Sequence, residues 1–342
     1  MGVLNLSHSH YLTRTPDFSR LPNLEKLILK DCTNLFELHQ SIGDLHYLVL
    51  VNLKGCKNLR SLSRSFYKLK SLETLILSDC SKIDNLADDL GEMECLTTLR
   101  IDNTAIRIVP STINRLKNLK YFYLSGCKRS QTKSLSSYFR SWISPSKIPK
   151  SVNILLDSVQ GLSSLKELCL SDCNLSDDTI PKGLGSLCAL QCLDLQSNRF
   201  HALPSSLSGL SRLRRLNLDY CRELQSIPDL PTSLNSLHAR NCTALERMPN
   251  VSKISSMETL FLTNCHKLVE IPGLDKMLKY FGILHMEGCN NMISSFKQSI
   301  LQVSPLSLNT THPPPPQKKK SPFIFMNEYL SFSFSFLKYS FL

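Results

Sequence analysis

At 342 residues, with 42% hydrophobic and 20% charged side chains, the chain has ample apolar material for a core, and its composition excludes a wholly disordered polymer. Leucine fills 62 positions against one Trp, a skew toward a repeated leucine framework and away from a varied enzyme core. The net charge of +12 is uneven: residues 128–150 carry +6, residues 296–342 carry +4 and the rest only +2, which argues against the basic stripe of a nucleic-acid-binding body.

In chain order, Met1 to His10 lacks the basic and apolar regions of a signal peptide. Leu6 stands where an N-myristoylation signal needs Ser or Thr. No apolar run reaches the roughly 18 residues of a membrane-spanning helix. From Leu4 onward one phrase recurs. Leu24-Glu25-Lys26-Leu27-Ile28-Leu29-Lys30-Asp31-Cys32 aligns with Leu72-Glu73-Thr74-Leu75-Ile76-Leu77-Ser78-Asp79-Cys80, giving L-x-x-L-x-L-x-x-C. Its last slot falls at Ser9, Cys32, Cys56, Cys80, Thr104, Cys127, Cys173, Asn198, Cys221, Cys242, Cys265 and Cys289. These twelve units stand 21 to 25 residues apart, except for one interval of 46.

This period predicts an α/β leucine-rich-repeat solenoid over residues 1–295: a curved horseshoe of about 12 repeats with a parallel sheet on its concave face. Each L-x-L core makes a short strand whose leucines point inward while the residues beside them face the concave side. One repeat cannot bury its own leucines, but stacked neighbours make a continuous core. Eleven parallel-strand steps of about 4.8 Å give an inner arc of roughly 50 Å. Pro110, Pro204, Pro228, Pro249 and Pro272 recur late in the unit and read as punctuation of the convex side, where a missing N–H is harmless.

Nine of the thirteen cysteines occupy the turn slot, where a small apolar side chain with a weak S–H donor can face a backbone carbonyl. One thiol per repeat makes a ladder, not a four-ligand zinc cluster. Cys169 with Cys173 and Cys188 with Cys192 straddle different faces of the unit, so no metal is expected. Two segments fall outside the pattern. Residues 128–161, which contain Trp142 among basic residues, read as a basic insertion or a degenerate repeat. Residues 296–342, with Pro313-Pro314-Pro315-Pro316-Gln317-Lys318-Lys319-Lys320 and the alternating Phe332, Phe334 and Phe336, read as a disordered or aberrant tail.

Phosphate-binding, dinucleotide, nucleophile-elbow and zinc-protease motifs are absent, so neither enzymatic activity nor a cofactor is expected. What remains is a surface. The residues expected to contact a partner across the concave face are Lys30, Lys54, Arg100, Asp102, Tyr121, Tyr123, Asp194, Arg215, Asp219, His238, Arg240, Phe261 and His285. Tyr, Arg and Phe dominate interface energetics, which singles out Arg100, Tyr121, Tyr123, Arg215, Arg240 and Phe261 as anchors.

Leu4-Asn5-Leu6-Ser7-His8-Ser9, Thr15-Pro16-Asp17-Phe18 and Leu21-Pro22-Asn23-Leu24-Glu25-Lys26-Leu27 resemble the repeats of plant TIR-NB-LRR disease-resistance proteins of the tobacco mosaic virus resistance type. So do Asp102-Asn103-Thr104-Ala105-Ile106, Leu170-Ser171-Asp172-Cys173-Asn174-Leu175 and Leu230-Pro231-Thr232-Ser233-Leu234. The resemblance covers about residues 1–295 and implies a module that senses a pathogen effector or modified host protein and restrains a nucleotide-binding NB-ARC switch. In the family, release of that switch lets TIR domains assemble and cleave NAD. Residues 1–342 match neither a TIR nor a nucleotide-binding domain, so no such activity carries over to them. A cytoplasmic location is expected, with the nucleus as a second compartment, a protein as partner, and neither nucleic acid nor membrane. A ubiquitin-ligase substrate adaptor is the alternative, although its units run longer and lack the Leu-Pro step. The Asn174-Leu175-Ser176 and Asn241-Cys242-Thr243 sequons leave an extracellular receptor ectodomain as a third reading.

Overall fold

The computed structural model describes residues 2–106, 108–126, 158–277 and 282–292. Cys127, the part of the insertion up to residue 157 and the tail at 296–342 lie outside the described residues. Twelve short strands form one sheet: β1 (Gly2–Asn5), β2 (Leu24–Ile28), β3 (Leu50–Asn52), β4 (Thr74–Ile76), β5 (Thr98–Arg100) and β6 (Tyr121–Tyr123), then β7 (Glu167–Cys169), β8 (Cys192–Asp194), β9 (Arg215–Asn217), β10 (Ser236–His238), β11 (Thr259–Phe261) and β12 (Ile283–His285). Their order in the sheet is their order in the chain, and every neighbouring pair is parallel.

Register follows the repeat. Leu75 lies opposite Val51 on one side and Leu99 on the other, so equivalent side chains form straight files across the sheet. The files of Leu27, Val51, Leu75 and Leu99 and of Leu29, Leu53 and Leu77 are wholly buried and make the core. The long interval does not break the sheet. Tyr121 pairs with Glu167 and Tyr123 with Cys169, so β6 meets β7 with no strand between them. The repeat of β7 begins at Ser158–Gly161, a 3-10 turn like those of its neighbours, so residues 158–161 pack as solenoid.

The convex side is built of such turns, among them Gln40–Asp44, Asp88–Glu92, Ser111–Arg115 and Ser205–Gly209. Pro110 and Pro204 sit at the entry of two of them, where the fixed φ suits an extended cap and no N–H is lost to the turn. Successive turns pack tightly: a Cβ placed on Gly91 would come within 2.7 Å of the Thr112 carbonyl oxygen in the next repeat. A single helical turn, Leu274–Met277, takes this place near the carboxyl end of the described chain.

Candidate functional site

The concave face is positioned by what happens after each strand. The residue before the turn slot is left-handed in every repeat, from His8 (φ 63) through Asp31, Gly55, Asp79, Asn103 and Gly126 to Asn264 and Gly288. Gly55, at φ +76, accepts this at little cost, and its bare Cα also lies close against the Asp31 side chain. The slot side chain then turns inward. Each described slot cysteine donates its S–H to a carbonyl of the repeat before it, such as Cys56 to Leu29 at 3.1 Å and Cys80 to Leu53 at 3.0 Å. The same bond recurs at Cys32, Cys173, Cys221, Cys242, Cys265 and Cys289 within 2.9–3.2 Å. Asn198 does more: its amide donates to Leu170 and Leu195 and accepts the N–H groups of Cys173 and Leu175. These links hold adjacent strands at constant spacing, so the outward side chains form regular rows.

Along the sheet these rows divide into three regions. At the amino end the cations are answered from the flank: Lys30 Nζ lies 4.0 Å from Asp31, and Lys54 Nζ lies 3.8 Å from Asp79. Around β5 and β6, the Arg100 guanidinium lies 4.6 Å over the Tyr123 ring, and its Nε is 3.3 Å from Asp102. Tyr123 donates its hydroxyl to Glu167 at 2.7 Å, while burial, assisted by that carboxylate, pushes the phenol pKa up. Tyr121 stands half-buried in the row between Thr98 and Glu167.

Toward the carboxyl end a second aromatic group forms on β10 to β12. Phe261 meets the His238 ring at 4.7 Å and the His285 ring at 5.0 Å, with the Arg240 guanidinium 4.0 Å over its face. His285 also lies 3.1 Å from Glu287, and burial holds the His238 pKa below the ordinary histidine value. Asp102 and Asp219 differ from the other acids of this face in being 7% exposed. Asp102 accepts from Ser78 and Ser125, and Asp219 accepts the Arg240 N–H at 2.7 Å, so both brace the sheet from within.

Between the two aromatic groups the sheet carries a cleft of about 280 Å³. Tyr123, Glu167, Cys169, Cys192, Asp194, Arg215, Asn217 and His238 line it. Arg215 Nε donates to the Cys192 sulfur at 3.1 Å. Burial pushes the Cys169 thiol up to about 11 and raises the Asp194 pKa above the ordinary carboxylate value. Glu167, Cys169, Cys192 and Asn217 are not among the residues that sequence reasoning singles out. Period-2 spacing puts them on the right face, but nothing in it ranks one outward residue above another. Among the described residues, no group of three or more His, Cys, Asp or Glu could hold a metal ion. No helix of the described chain is long and apolar enough to cross a membrane.

A parallel sheet in chain order, one strand per repeat, with leucine files inward and a polar concave face, is a leucine-rich-repeat solenoid. The family model described as Leucine Rich Repeat matches residues 164–187 and 189–210. The chain resembles the repeat region of plant disease-resistance proteins. It is 30% identical over 367 aligned residues to the TMV resistance protein N of Nicotiana glutinosa, covering 92% of this chain and 31% of that protein. To the disease resistance-like protein DSC1 of Arabidopsis thaliana it is 36% identical over 253 residues, covering 72% of this chain and 19% of that protein. The chain thus spans under a third of the length of these two relatives. Among solved structures, the Arabidopsis receptor kinase HAESA, in complex with the peptide hormone IDA and the co-receptor SERK1, aligns at a TM-score of 0.47 and 20% identity over 77% of this chain and 46% of that chain.

Proposed function

We propose that the chain is the protein-recognition module of a plant immune receptor. Its concave face senses a pathogen effector, or a host protein that an effector has modified, and restrains an NB-ARC switch until that contact is made. The switch would come from a longer polypeptide or from a partner chain. The observation that carries this reading is the pair of arginine–aromatic groups, Arg100 with Tyr123 and Arg240 with Phe261, on one rigid face. The disease-resistance relatives supply the biological setting. Under this reading the solenoid binds and does no chemistry. Its working compartment is the cytoplasm or nucleus, in keeping with cysteines that are all free among the described residues.

Proximity labelling in leaf cells expressing the tagged chain, with and without pathogen challenge, tests the reading. Tyr121→Ala combined with Tyr123→Ala is expected to cut capture of the labelled partners by about tenfold or more while the circular dichroism spectrum stays unchanged. Undiminished capture would sink this patch as the recognition surface.

A further inference from the structure

One acid in the central cleft is left without a counter-charge, while the other acids of the concave face are provided for. Asp102 has Arg100 with two serine hydroxyls, Asp219 has Arg240, and Glu287 has His285 and Thr263. Glu167 accepts the Tyr123 hydroxyl and faces the charge of Arg215 across the cleft. Asp194 has no cation beside it, and the one charge that acts on it is the like charge of Asp219. It accepts the Gln196 backbone N–H at 3.0 Å, and its neighbours Asn217 and Cys169 in the cleft are neutral. No Lys, Arg or His nitrogen of the described residues comes within the 4.0 Å of an ion pair. Counted as formal charges, Glu167 and Asp194 against Arg215 leave the lining of the cleft one negative charge in excess, and Asp194 is the acid on which no cation acts.

At about 280 Å³ the cleft falls just below the roughly 300–1,000 Å³ of cofactor and small-molecule sites, a size that suits a single long side chain. Tyr123 and His238 line it with aromatic rings, and this same face already seats guanidinium groups over Tyr123 and Phe261. From this geometry we propose that Asp194 is the specificity-determining residue of the concave face: the protein bound there inserts an Arg or Lys side chain into the cleft and pairs it with the Asp194 carboxylate. The inference rests on the recognition reading above and names the chemistry it selects. A half-buried carboxylate that lacks its cation is a cost in the free protein, and a partner that supplies the cation relieves it.

The test uses the full chain and capped peptides of one neutral scaffold, varied only at a central Arg, Lys, Gln or Glu, with binding read by fluorescence anisotropy. The Arg and Lys peptides are expected to bind about tenfold tighter than the Gln peptide, with the Glu peptide weakest. Asp194→Asn should bring Arg and Lys level with Gln while the thermal midpoint holds or rises; Asp194→Glu should keep the ranking. Spermidine, a free cation with no peptide to present it, should not compete. Equal binding by all the peptides, a ranking that survives Asp194→Asn, efficient displacement by spermidine, or no binding of the Arg peptide at millimolar concentration would each overturn the proposal. Binding that is lost with Tyr121→Ala and Tyr123→Ala yet shows no charge ranking overturns the Asp194 pairing alone and leaves the recognition reading standing. Partner capture in cells that ignores both tyrosines is the separate failure of that reading.

Discussion

At the scale of the residue, the turn slot offers a direct comparison of two chemistries. Cys56 makes one weak bond, to Leu29, whereas Asn198 joins two carbonyls and two N–H groups at a site only 2% exposed. Asn198→Ala strands three of the four, the Leu195 carbonyl keeping the Cys221 S–H, and a loss of about 3 kcal/mol or more is expected; Cys56→Ala should cost about 1–2 kcal/mol. Urea midpoints measured side by side check the ordering, and equal losses would refute it. Asp194 gives a second expectation, with a defined sign. Its folded-state pKa is raised by burial, so its favourable contribution is present below the ordinary carboxylate value and is lost as pH rises through the raised one. Asp194→Asn should therefore melt higher than the native chain near neutral pH, with the gap closing toward pH values below about 4. A gap that widens on acidification would reverse the assignment. The slot itself is legible from spacing. Its acceptor is not, because the carbonyl belongs to the preceding repeat and is brought there only by stacking.

At the scale of the element, a repeat works because two backbone positions accept what most residues resist. Nine of the twelve left-handed residues before the slot are Asp, Asn or Gly, the types that tolerate this conformation. That signal is present in the sequence but stands beside a louder one, the cysteines, which hides it. His8, Ser197 and Tyr220 depart from it, and for those three only the backbone reveals the conformation. Gly55→Ala should cost about 1–2 kcal/mol from φ alone, and more from the approach of Asp31. Adding Asp31→Ala should recover part of the loss, and strict additivity in thermal melts would show that the side-chain approach is immaterial. On the convex side, Gly91→Ala meets the Thr112 carbonyl, a backbone atom with little room to retreat, and should also destabilise.

At the scale of the whole molecule, stability is a sum over neighbours. Leu193 packs in file between Leu168 and Leu216, and among the described residues each strand pairs only with its immediate neighbours in the sheet. Leu193→Ala should cost about 2–5 kcal/mol locally. Hydrogen exchange should accelerate across β7 to β9 while β2 and β3 keep their protection. Uniform acceleration along the chain would mean one cooperative core instead. The architecture is readable at this scale because a period in leucine maps onto a period in space. The cleft at Asp194 is not, since it depends on which outward side chains lean together across five strands, and sequence spacing treats them all alike. The direct pairing of β6 with β7 is equally invisible, because an interval of 46 residues is compatible with a strand in between or with none.

The thiol ladder has a practical consequence. Burial pushes the Cys80 and Cys221 thiols up to about 12, so at neutral pH they are neither ionised nor reachable while their repeats stay folded. Cys95 and Cys188 are exposed and serve as an internal reference. The protein therefore carries its own unfolding gauge. A brief pulse of iodoacetamide at each urea concentration, followed by peptide mass spectrometry, would tag each of the eight buried slot cysteines among the described residues only once its own turn has opened. The order in which Cys32 through Cys289 become alkylated would record where the solenoid starts to come apart, with no foreign probe introduced.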